Sequence, residues 1–62
     1  MKEISVSLEK VFDEYQDKSI SKGGRISYVA NHFDAIKYSC KDGILTLYFD
    51  SDEKYTFAAM SL

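Results

Sequence analysis

Residues 41–57 read KDGILTLYFDSDEKYTF. Apolar side chains occupy alternate positions here in both phases, so the register of this stretch decides which face is core. Asp42-Gly43 is a two-residue hairpin signal, because a type I′ turn needs positive φ at both central positions. With that loop, Lys41 lies opposite Ile44, Cys40 opposite Leu45, Tyr38 opposite Leu47 and Ile36 opposite Phe49. A three-residue loop would set Cys40 against Ile44 and leave Leu45, Leu47 and Phe49 opposite polar partners such as Ser39 and Lys37. A slip of one residue moves every side chain to the other face, so the apolar match selects the two-residue loop.

The second turn can be read the same way. With Ser51-Asp52-Glu53 as a loop, Asp50 faces Lys54 in a cross-strand ion pair. Phe49 then faces Tyr55, Leu47 faces Phe57 and Leu45 faces Ala59. Both turns predict one core face: Ile36, Tyr38, Cys40, Leu45, Leu47, Phe49, Tyr55, Phe57 and Ala59. The predicted meander has strands near 35–40, 44–50 and 54–60. Its other face carries Lys37, Ser39, Ile44, Thr46, Tyr48, Thr56, Ala58 and Met60, with Ile44 opposite Met60 and Tyr48 opposite Thr56. A mixed face of this kind is a contact surface unless residues 25–33 fold over it.

Upstream, residues 2–18 read KEISVSLEKVFDEYQDK. Ile4, Val6 and Leu8 alternate as in a strand. Ile4, Leu8, Val11, Phe12 and Tyr15 form a helical stripe, with Glu9, Lys10, Asp13, Glu14 and Asp17 opposite. The helical pattern runs longer and predicts a helix over about 3–18, with a strand left open for its first turn. Gly23-Gly24 reads as a turn; the pattern lacks the longer glycine spacing of a phosphate-binding loop. In RISYVANHFDA, Ile26, Val29, Ala30 and Phe33 make a helical stripe, which favours a short second helix at 25–33 over a fourth strand. The expected architecture is α+β: one domain over 1–62, with an amino-terminal amphipathic helix packed on a three-stranded antiparallel meander.

A chain of 62 residues buries only about 60% of its unfolded surface and is marginally stable alone. Domains of this size commonly add a disulfide, a metal or a second subunit. Cys40 is the sole cysteine and His32 the sole histidine, so an intrachain disulfide is impossible and a metal site is not indicated. A partner, or a second copy in a homodimer, remains as the source of extra stability. The net charge is −2, with eight basic and ten acidic residues. That balance supplies no field to steer nucleic acid. Residues 41–62 hold Asp42, Asp50, Asp52 and Glu53 against only Lys41 and Lys54. No apolar run is long enough to span a membrane and no leader pattern is present. With a free thiol, this points to the cytoplasm.

No catalytic motif emerges, and nothing implies a cofactor. Cys40 with His32 could form a nucleophile and base, but Cys40 falls on the expected core face, where cysteine acts as a small apolar residue. The carboxylates of Asp50, Asp52 and Glu53 lack the ligand spacing of a calcium loop. The expected function is therefore a non-enzymatic protein-binding module, an inhibitor or adaptor that blocks a larger partner. By size and composition alone it is analogous to small inhibitors that phages and mobile elements direct against host nucleases or defence complexes. The expected contact residues are Ile44, Tyr48 and Met60 as apolar anchors, with Asp50, Asp52 and Glu53 facing a basic partner surface. Two alternatives stay open. One is a nucleic-acid-binding domain using Lys22, Arg25, Lys37 and Lys41 with interleaved aromatics. The other is a structural, self-assembling subunit.

Overall fold

The computed structural model describes residues 2–16 and 21–62. In chain order they form β1 (Lys2–Ser7), α1 (Leu8–Glu14), α2 (Lys22–His32), β2 (Lys37–Lys41), β3 (Ile44–Phe49) and α3 (Asp52–Ser61). The architecture is α+β, with a three-stranded antiparallel sheet in the order β1-β3-β2.

The hairpin forms as its residue types require. Asp42 has φ 53° and Gly43 φ 78°, the two positive angles of a type I′ turn. The register sets Lys41 against Ile44, Cys40 against Leu45 and Tyr38 against Leu47. Ile36 falls outside this ladder; its N–H donates to the Tyr48 carbonyl at 2.9 Å, and its side chain is exposed.

The other neighbour of β3 differs from the expected one. Residues 54–60 are helical, and β1 takes the place beside β3 that they were expected to fill. Lys2 pairs with Phe49, Ile4 with Leu47 and Val6 with Leu45. The expected helix over 3–18 is thus a strand to Ser7 and a helix only from Leu8 to Glu14; positions 17–18 lie outside the described residues. Ile4 and Val6 gain a full ladder and a place against the core, which outweighs their fit to a helical stripe.

At 52–61 the local chemistry favours a helix. Ser51 is the N-cap, and its hydroxyl accepts from the Lys54 N–H at 3.2 Å. Asp52 and Glu53 occupy the first turn, where their charge suits the helix dipole. Asp50 and Lys54 do pair, at 3.8 Å, but as neighbours i and i+4 rather than across two strands. The core-facing positions are Tyr55, Ala58 and Leu62, spaced i, i+3 and i+7 as on one face of a helix. Phe57 and Ala59, expected in the core, are exposed.

The short second helix is α2, and it starts earlier than expected. Gly23 and Gly24 lie in its first turn instead of in a loop. Ser21 caps it by accepting from the Gly24 N–H at 3.1 Å, and a capped first turn tolerates glycine better than a helix interior does.

One face of the sheet carries the core. Val6, Leu45, Leu47 and Phe49 are buried with Val11 of α1, Val29 and Ala30 of α2, Phe33 just after it, and Ala58 of α3. Burying each large side chain contributes about 1.5–3 kcal/mol. The helical layer does not extend over β2, all five of whose residues are exposed. Tyr38 and Cys40 point to the core side but lie beyond its rim, which corrects their expected burial.

Candidate functional site

The face of the sheet away from the helices contains no buried residue. Alternation on β3 places Ile44, Thr46 and Tyr48 along its middle, and the two registers build three rows across it. Tyr48 lies between Glu3 and Lys37, Thr46 between Ser5 and Ser39, and Ile44 between Ser7 and Lys41. The Lys37 ammonium sits 4.8 Å from the Tyr48 ring centroid, a cation–π distance. Ser5 Oγ and Thr46 Oγ1 share a hydrogen bond at 3.2 Å. Ile44 keeps 41% of its surface exposed. This surface has an apolar anchor at one end, an aromatic at the other and hydroxyls between. Its lysines all come from β2, and its one carboxylate comes from β1.

The expected contact residues separate into three places. Ile44 and Tyr48 share the open face, four residues apart on one strand. Met60 is on α3, in the helical layer, and is 83% exposed; its expected pairing with Ile44 does not exist. Asp50, Asp52 and Glu53 sit where β3 passes into α3. Asp50 is beside Lys54, and Asp52 is 3.7 Å from the Lys2 ammonium. Both are exposed pairs, and they weaken the negative field expected of this turn.

The four basic residues of the nucleic-acid alternative also divide. Lys22 and Arg25 stack on the Phe12 ring at 5.4 and 5.6 Å, and Arg25 also donates to the Tyr15 carbonyl at 3.4 Å. Lys37 and Lys41 lie on the open sheet face. They do not form one basic groove.

A second surface is aromatic, and the sequence pattern does not single it out. Tyr15, Tyr28, His32, Phe33 and Phe57 form a chain of ring contacts with centroids 4.8–5.9 Å apart. Its far end borders a cleft of about 320 Å³ lined by His32, Phe33, Asp34, Ser51, Glu53, Lys54 and Phe57. Tyr28 and His32 stand at i and i+4, off the buried stripe of α2, and that spacing was the available signal. Burial chiefly, then the Glu14 carboxylate and Tyr28, raise the Tyr15 phenol above its ordinary pKa. It therefore stays neutral at physiological pH. His32 is engaged with Tyr28 and Phe33, and no hydrogen bond joins it to Cys40 on β2. Among the described residues, no three His, Cys, Asp or Glu side chains are placed to hold a metal ion. No described helix is long and apolar enough to cross a membrane.

No protein-family model matches the sequence, and no curated protein or solved structure matches it either.

Proposed function

We propose that the chain is a non-enzymatic protein-binding module, an inhibitor or adaptor that covers part of a larger protein, and that it binds through the open sheet face. The observation behind this reading is that exposed Ile44 and half-buried Tyr48 share the uncovered face of a central strand whose reverse side is the core. Leu45, Leu47 and Phe49, fully buried, hold that strand rigid. Anchors held this way lose little conformational entropy on binding. Tyrosine is enriched among residues that carry binding energy, and both anchors here have polar groups on either side that can form a rim. Met60 and the acidic turn belong to other surfaces and drop out of this site.

The test uses the intact chain as bait in a lysate of its native host, followed by binding measurements with the purified captured protein. Ile44→Ser with Tyr48→Ala should weaken binding by about 30-fold or more, the scale of losing a 2 kcal/mol anchor. Dissociation should account for most of the change. Met60→Ala should bind as the parent does. If the double variant, shown folded by its thermal melt, binds unchanged, this face is not the site.

A further inference from the structure

The open edge of β2 is amphipathic and, unlike that of β1, carries lysines on its open-face side. In a two-residue hairpin the closing pair is hydrogen-bonded. Lys41, Ser39 and Lys37 therefore turn their backbone groups inward to β3. The N–H and C=O groups of Tyr38 and Cys40 point outward, and no hydrogen bond to another described residue occupies them. Side chains alternate about that edge. Lys37 and Lys41 flank Ser39 on the open face, and Tyr38 and Cys40 lie on the helical side, both exposed. The Tyr38 hydroxyl is held at 2.9 Å from Ser27 Oγ of α2, and the side chain stays 43% exposed.

Building on the reading of the chain as a protein-binding module, we propose that the free edge of β2 takes up an extended peptide as a fourth antiparallel strand. Its preferred ligand alternates acidic and apolar residues. The carboxylates would lie opposite Lys37 and Lys41 on the open face, and the apolar groups opposite Tyr38 and Cys40. Strand addition draws affinity from main-chain hydrogen bonds and selectivity from alternate side chains. Opposite charges directly across a ladder are favourable and like charges are not. The same rule disfavours a second copy. The antiparallel register that engages all five residues of both β2 strands sets Lys37 against Lys41 at each end. Edge lysines commonly guard against self-pairing; here they also select an acidic strand.

The probe is a synthetic peptide, Glu-Val-Thr-Val-Glu, capped at both ends, titrated into the whole protein and followed by amide NMR and hydrogen exchange. Saturable binding should slow exchange of the Tyr38 and Cys40 N–H groups at least several-fold. The out-of-phase peptide Val-Glu-Thr-Glu-Val and the reversed peptide Lys-Val-Thr-Val-Lys should bind at least tenfold more weakly. The exposed double change Lys37→Glu with Lys41→Glu should invert the preference between the Glu and Lys peptides. The proposal is overturned if the Tyr38 and Cys40 amides gain no protection, or if the Lys peptide binds the parent equally well. It also fails if the parent sediments as a dimer through this edge. Shifts confined to Ile44, Thr46 and Tyr48 would reject the edge while leaving the open face as the binding surface. An unaltered spectrum, with the anchor variant also failing to change partner binding, would reject both.

Discussion

Leu47 and Cys40 share the core side of the sheet and have opposite fates. Leu47, on the central strand, is paired with Ile4 on one side and Tyr38 on the other and has no exposed surface. Leu47→Ala should cost about 2–5 kcal/mol, read as a lower denaturation midpoint. In a domain this small that is a large share of the stability. Cys40 is on the edge strand, beyond the reach of the helices, and is exposed. A thiol reagent should modify it in the native protein nearly as fast as in the unfolded chain. Strong protection that vanishes in denaturant would contradict this placement. Alternation in the sequence assigns both residues to one side. How far along that side the helical layer extends is a property of the assembled fold.

Among the elements, the helix over 52–61 is the least legible in the sequence, because Tyr55, Phe57 and Ala59 alternate as convincingly as any strand. The deciding chemistry sits at its start, where Ser51 caps and Asp52 and Glu53 follow. Ser51→Ala removes the cap to the Lys54 N–H and should cost about 1 kcal/mol, measurable as a reduced melting temperature. A matching change at Ser61, which follows Met60 at the far end, should be nearly neutral. In a loop between two strands neither serine would matter to this degree. The open-face residues were legible as a group at this scale. Ile44, Thr46 and Tyr48 follow from the hairpin register alone, whereas Met60 reaches that face only if residues 54–60 form a third strand, and they are helical.

For the molecule as a whole, the amino-terminal strand closes the sheet from the far end of the chain. The N–H of Leu8, just past it, donates to the Gly43 carbonyl in the hairpin turn at 2.9 Å, so residues 2–8 follow β3 along its whole length. Without them the sheet would be reduced to the two strands β2 and β3, and two strands are marginal in water unless helices cover them. Deletion of residues 1–7 should therefore abolish the cooperative thermal transition. Retention of a sharp transition would show that the hairpin and helices hold together without β1. This dependence also bears on binding, because Glu3, Ser5 and Ser7 form one border of the open face.

The sequence by itself determined the Asp42-Gly43 turn, the register of β2 on β3, the core side of Leu45, Leu47 and Phe49, and the helical stripe of Ile26, Val29, Ala30 and Phe33. Each rests on local rules: the positive φ of two turn residues, a period of two, or a period near 3.6. Only the tertiary structure decided what lies on the second side of β3. Residues 4–8 and 55–59 both alternate, and either could have paired with it. Pairing β1 there leaves 52–61 free to form a capped helix, whose Tyr55, Ala58 and Leu62 help cover the core side of the sheet. A central strand's second neighbour is a non-local choice, made by which arrangement closes the core, and it also left the other face of the sheet uncovered.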